Sequence, residues 1–194
     1  RLVRPRLTPD LRKLFRLMLP AAVGAGVMQI NLLVDVLLAS LLPTGAISYL
    51  YYADRVYQFP LGVVGIAIGT ALLPLLSRQV KAGEDAAALV SQNRALEVAL
   101  LLTLPATAGL VVLAGPIVEV LFQRGAFTAA DAQATGLALA AYALGLPAYV
   151  AVKVLAPGFY AREDTATPVK VAVAAMLANI LVGVVLMQFI AHVG

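Results

Sequence analysis

The sequence predicts an all-α protein, a polytopic bundle of five transmembrane helices with polar residues set inside it. Hydrophobic residues make up 62% of the chain and charged residues only 12%. The mean hydropathy is +0.94. The apolar residues fall into five long runs divided by short polar loops. An ordinary globular domain is about a quarter charged. A soluble fold of 194 residues cannot hide this much apolar surface, so lipid must be the solvent for much of it.

The first run opens with a helix start: Thr8 as N-cap, Pro9 at the first helical position and Asp10 facing the positive end of the dipole. Residues 1–16 form a basic lead-in, amphipathic from Leu11 to Arg16 and suited to the headgroup layer. The membrane domain occupies 17–194. Its first span, 17–42, carries one formal charge, Asp35, with Gln29 and Asn31 nearby, and exceeds the ~20 residues a bilayer crossing takes.

After an uncharged turn at Pro43, Thr44 and Gly45, a second span covers 47–76 and contains Tyr51, Tyr52, Ala53, Asp54 and Arg55. Pro60 predicts a bend in it. The third helix starts near Asp85, stays polar to Arg94 and Glu97, and spans the membrane over 88–114 with a kink at Pro105. Gly115 to Ala130 reads as a short interfacial element and a loop. Asp131 opens a fourth span, 131–160, interrupted at Gly145 and Pro147, and the last span is 168–192. Splitting the fourth run would leave Ala148 to Tyr160 as a separate crossing, shorter than the ~17 residues required.

Charge placement supports five spans. With alternating crossings, the amino terminus, the loop Ser77 to Asp85 and the loop Arg162 to Lys170 share one side, with six, two and two basic residues, while the other side has only Arg124. Lys/Arg bias marks the cytoplasmic face, which puts the amino end inside. The same placement argues against nucleic acid as the partner behind the net charge of +4, since no base-stacking aromatic pattern accompanies the basic residues.

Charged groups at membrane depth cost at least ~2.5 kcal/mol each on insertion scales, so Asp35 and Arg55 need a reason. At ~1.5 Å per residue both lie roughly 10–15 Å below the outer surface. Either they neutralise one another across a helix hairpin, or Arg55 faces a water-filled cavity and meets an anionic group, for which its planar donors are suited. Asp54, one residue away, points to a helix neighbour or the cavity wall. Gln29, Asn31 and Gln58 suit hydrogen bonds between helices, and Tyr51 and Tyr52 suit belt or packing roles. Lys153 can snorkel to the inner surface or face a cavity, and Arg162, Glu163 and Asp164 read as a solvated loop.

The chain has no cysteine, and its one histidine, His192, has no carboxylate cluster around it in sequence. A catalytic site, a metal site and a cofactor are therefore not expected. No GxxxxGK, GxSxG or HExxH pattern occurs, and transport fits better than enzymatic chemistry.

Three blocks carry a family resemblance. Ile30 to Gln79, INLLVDVLLASLLPTGAISYLYYADRVYQFPLGVVGIAIGTALLPLLSRQ, resembles the MurJ (MviN) family of lipid II flippases. So do Lys153 to Lys170, KVLAPGFYAREDTATPVK, and Leu121 to Phe127, LFQRGAF, followed by Thr128 and Asp131. The resemblance implies a two-lobe transporter of the multidrug/oligosaccharidyl-lipid/polysaccharide exporter superfamily, with fourteen helices, in the bacterial inner membrane. This chain resembles five helices of an incomplete second lobe, as the missing initiator Met also suggests, and the remainder of its own chain would then be its first partner. Membrane lipids and lipid II, and also cell-wall synthesis proteins, are the other partners implied. Arg55 resembles a cavity arginine that meets the diphosphate of the substrate, and Pro60, Pro105, Gly145 and Pro147 would be hinges as the lobes rock. The alternatives are another exporter of the superfamily, for polysaccharide-lipid or drug, and a non-transporting scaffold for cell-wall enzymes.

Overall fold

The structure, a computed structural model, describes residues 9–193. Thr8 and the basic residues Arg1, Arg4 and Arg6 lie outside the described residues, as do the side chains of Arg12, Lys13, Arg16 and His192. Every element is helical among the described residues: α1 (Pro9–Ser40), α2 (Ala46–Pro60), a π-helical segment (Leu61–Ile66), α3 (Ala67–Lys81), α4 (Asp85–Phe122), α5 (Ala129–Ala161) and α6 (Ala166–Val193). Because α2, the π segment and α3 run on without a break, these make five helices long and apolar enough to cross a membrane. The all-α, five-span bundle expected from the sequence is therefore the one observed.

The chain divides into two compact units, residues 1–38 with 163–194, and residues 39–162. In the first unit α1 and α6 run parallel. A Cβ on Gly24 would lie 2.8 Å from Val169 Cγ2, and one on Gly183 would lie 3.0 Å from Leu38 Cδ1. These contacts advance along both helices in the same direction, as two crossings separated by an even number of turns must. Most of the surface of this pair is apolar and exposed, including Leu32, Leu33, Leu37, Leu177 and Leu181. In lipid such exposure carries no hydrophobic penalty.

The second unit is built around α5. Its buried residues, Ala132, Leu139, Ala143, Leu146, Val150 and Val154, recur every three or four positions and form one helical stripe. All of these but Ala143 share one buried cluster with Ala53, Tyr57 and Val64 from the second span, Leu72 and Leu76 from α3, and Ala99, Ala114 and Val118 from α4. Two backbones come close to α5: a Cβ on Gly136 would stand 3.2 Å from Gly115 Cα of α4, and one on Gly69 of α3 would stand 3.0 Å from the Lys153 carbonyl oxygen. Small residues there let backbones pack where lipid supplies no hydrophobic drive.

Several boundaries differ from those expected. The bend expected at Pro60 is a full turn of π-helix directly after it, Leu61–Ile66. Proline has no amide to give its turn, and widening to an i→i+5 pattern accommodates the lost bond without ending the helix. The third helix does not stop near Ala114 but runs through Gly115 and Pro116 to Phe122, so the first part of the stretch expected as interfacial element and loop, Gly115 to Ala130, is its last two turns. At 38 residues it is about 57 Å long, well beyond a ~30 Å hydrocarbon core. The fourth span is not interrupted at Gly145 or Pro147: α5 is one helix across both and across Pro157 as well. Packed neighbours tolerate proline within a membrane helix by re-satisfying the freed groups. Likewise α4 continues through Pro105.

Candidate functional site

The YYADR stretch lies on α2. One helical turn separates Tyr51 from Arg55, so the two side chains share a face. The Arg55 Nη2 donates to the Tyr51 hydroxyl at 2.9 Å, and its guanidinium carbon stands 4.6 Å from the centroid of the Tyr51 ring. Tyr51 is thus the support of the cation, a role the belt-or-packing reading did not foresee. Arg55 is exposed within its unit and forms no ion pair among the described residues of that unit. Tyr57, two residues on, is buried against Tyr142 and Tyr149, with ring centroids 5.9 and 6.5 Å away. The helix therefore packs one face on α5 and offers Arg55 on another.

Gln58 does not reach another helix. It donates to Asp54 one turn back on α2, and Asp54 is half-buried. Asn31 does the same on α1, donating to Asp35 at 3.0 Å. Residues four apart on a helix are nearest neighbours, and an amide and a carboxylate at that spacing satisfy one another before any more distant partner. The Asn31 Oδ1 remains buried with no partner among the described residues. Gln29 is exposed on α1. Asp35 belongs to the first unit and Arg55 to the second.

Lys153 on α5 is half-buried. Its stem lies along the second span, with the Cβ 3.7 Å from the Cβ position of Gly65, and its ammonium sits 5.5 Å from the centroid of the Tyr149 ring. A cation over an aromatic face keeps favourable electrostatics in a poorly hydrated place.

Three polar ties lay outside the sequence reading. The buried Gln92 of α4 donates to the carbonyls of Leu155 (3.0 Å) and Val154 (3.4 Å) on α5. A Cβ on Gly158 would collide with the Gln92 amide, which explains the glycine of the LAPGFY block. The proline–glycine pair in that block was the signal that could have pointed to it. At the end of the unit where α5 finishes, Arg162 donates to the Gly158 carbonyl at 3.0 Å and pairs with Asp85 at 3.3 Å. The loop residue Asp164 is more than solvated. It caps α6, accepting from the amides of Thr167 (2.9 Å) and Ala166 (3.1 Å). The hydrogen bonds from Thr167, with help from Ala166 and Lys170, hold its carboxyl below the usual range.

At the opposite end of the second unit an open pocket of about 610 Å³ lies between the start of α2 and residues 121–131. One side is aromatic: the Tyr52 ring lies 4.9 Å from Phe122 and 5.5 Å from Phe127, centroid to centroid. The other is polar. Tyr49 donates to Asp131 across 82 residues, while Thr128 gives Asp131 both its amide (2.7 Å) and its hydroxyl (2.6 Å). Thr128 and Asp131 form a capping box, so α5 starts two residues before the expected Asp131. Their T-x-x-D spacing was visible in the sequence, but the Tyr49 partner was not.

A family model described as "Lipid II flippase MurJ" matches residues 1–194. The chain is similar to "Probable lipid II flippase MurJ" of Rhizobium meliloti (strain 1021), 49% identical over 98% of this chain and 36% of that protein. The protein of the same description from Vibrio cholerae is 46% identical over 100% and 37%. "Lipid II flippase MurJ" of Burkholderia cenocepacia is 36% identical over 96% and 36%. Among solved structures, "Lipid II flippase MurJ, inward closed conformation" matches with a TM-score of 0.76 and 34% identity, covering 92% of this chain and 38% of that one. The chain spans a little over a third of the length of these relatives. With its whole length matched and its fold shared, the chain belongs to the MurJ lipid II flippase family.

Proposed function

We propose that the protein of which this chain forms part moves lipid II from the inner to the outer leaflet of the bacterial cytoplasmic membrane by alternating access, and that it is a transporter and not an enzyme. The chain supplies five helices of the second lobe, with the amino end cytoplasmic and the cationic loops 77–85 and 162–170 on the same side. What supports this reading is Arg55, a guanidinium within the apolar helix Ala46–Lys81 that is exposed on its unit and held on a tyrosine support. Facing lipid, such a group costs at least ~2.5 kcal/mol. Facing an aqueous chamber, it meets a lipid-borne phosphate with paired, charge-assisted bonds. Asp54, Gln58 and Lys153, in the same unit as Arg55, are further polar candidates for that chamber, and Gln29, Asn31 and Asp35 of the first unit are candidate substrate contacts in their own right. Pro60 with its π turn, Pro105, Gly145 and Pro147 are the candidate hinges, and cell-wall synthesis proteins are candidate partners.

The test is Arg55→Ala and Arg55→Lys in the intact protein, reconstituted in liposomes with labelled lipid II and read by exposure of the headgroup in the far leaflet. Arg55→Ala should cut transport at least tenfold, the loss of one charge-assisted contact of about 1.5–3 kcal/mol. Lysine should restore part of it. Wild-type rates in both variants remove Arg55 from the site, whereas no transport by the wild type leaves a scaffold as the better reading.

A further inference from the structure

The pocket between the start of α2 and the start of α5 has no part in the role given to Arg55. Its volume of about 610 Å³ lies within the ~300–1,000 Å³ of small-ligand sites. Its lining is amphipathic in a directional way, with an aromatic wall of Tyr52, Phe122 and Phe127 and a polar side of Ser48, Tyr49 and Arg124.

The charges select the ligand. Asp131 also lines the pocket, but both its oxygens already accept hydrogen bonds, from Tyr49 and from Thr128, so it offers an ammonium little. Asp131 in turn disfavours a simple anion beside Arg124. The Tyr49 hydroxyl uses its one O–H in the hydrogen bond to Asp131, so toward a ligand it presents only acceptor lone pairs. Ser48 can both donate and accept, and Arg124, whose Nη2 already donates to the Leu121 carbonyl, has further N–H donors to give. A ligand matched to these groups is neutral, carries donors and acceptors around its edge, and has an apolar face for the aromatic wall. A sugar ring has all three properties.

We propose that this pocket binds a saccharide, with the C–H face of the ring on the aromatic wall and its hydroxyl or amide groups on Ser48, Tyr49 and Arg124. Its place at the end of the unit remote from the Arg162–Asp85 pair assigns it to the glycan part of the transported lipid as that part meets the far side of the membrane. This second statement rests on the flippase reading, whereas the binding itself does not.

The experiment uses the intact protein in lipid nanodiscs with N,N′-diacetylchitobiose as probe and saturation-transfer NMR as readout. The wild type should saturate the disaccharide. Arg124→Gln and Tyr52→Ala should each weaken it about fivefold, the effect of one lost hydrogen bond or ring contact, while Arg94→Gln at the other end should not. Arg124 is exposed, so its variant decides the matter if Tyr52→Ala fails to fold. No saturation in the wild type, equal saturation in both pocket variants, or displacement of the sugar by glycerophosphoethanolamine, a phospholipid headgroup, overturns the proposal. Lipid II transport in the same preparations separates the two readings. Pocket-dependent sugar binding without transport sinks the flippase, and transport without pocket-dependent binding sinks the saccharide site.

Discussion

Gly158→Ala tests how α4 is joined to α5. A methyl group at this position overlaps the Gln92 amide, lying 2.6 Å from Oε1 and 2.9 Å from Cδ. The amide is the end of a flexible side chain and can swing aside, so steric strain is the smaller term. What it leaves behind decides the magnitude. Gln92 is buried and donates to the carbonyls of Val154 and Leu155. Displaced, it becomes an unsatisfied amide in an apolar packing layer, at about 1–3 kcal/mol. Gln92→Ala alone removes the donor and its desolvation together, and the two carbonyls keep their bonds within α5, so its cost is mainly a small cavity. In the Gln92→Ala background the Gly158→Ala change should be neutral or stabilising, because alanine exceeds glycine in helix propensity by up to ~1 kcal/mol. The two substitutions are therefore coupled by about 1–3 kcal/mol. A double-mutant cycle on the intact protein, followed by reversible unfolding in mixed micelles, measures this. Additive effects would show that the glycine is not there to admit Gln92.

Other outcomes follow from the same structure. Tyr51→Phe keeps the ring under Arg55 and removes the hydroxyl acceptor, so lipid II transport should fall about two- to tenfold, the worth of one modest hydrogen bond; Tyr51→Ala should fall further. Asp164 has a folded pKa below its unfolded one. Its contribution is present above the ordinary carboxylate pKa of about 3.9 and is lost as pH falls through the lower folded value. Asp164→Asn should flatten the acid limb of the stability profile in that window, checked by unfolding between about pH 2 and 5. Gly45 stands at φ 100°, and a Cβ there would lie 2.7 Å from the Tyr49 hydroxyl. Gly45→Ala should therefore destabilise by about 1–2 kcal/mol through left-handed strain, and should displace Tyr49 from Asp131, seen as a lowered melting temperature.

How much was legible in the sequence varies with the kind of signal. Asp54 and Gln58, or Asn31 and Asp35, could have been paired from spacing alone, since position i+4 fixes the neighbour on any helix. For Asn31 and Gln58 the sequence suggests bonds between helices instead, because a polar residue in an apolar run invites a distant partner. Helix ends at glycine and proline were misplaced for a related reason. Gly115–Pro116 and Gly145–Pro147 break helices in water, where the exposed backbone has another partner. In lipid it has none, and the helices persist.

Composition and the run lengths of apolar residues determined by themselves that the chain is an all-helical membrane bundle of five crossings, because in hydrocarbon every backbone polar group must be bonded within its own segment, and a helix does this at any sequence of sufficient hydropathy. The blocks around Arg55 and Pro157 also sufficed for the family. Tertiary structure alone decided that Tyr49 meets Asp131, that Gln92 rests on the backbone beside Gly158, and that an aromatic pocket forms at one end. Those contacts join residues some sixty to eighty positions apart, and no periodicity encodes which faces of separate helices will meet.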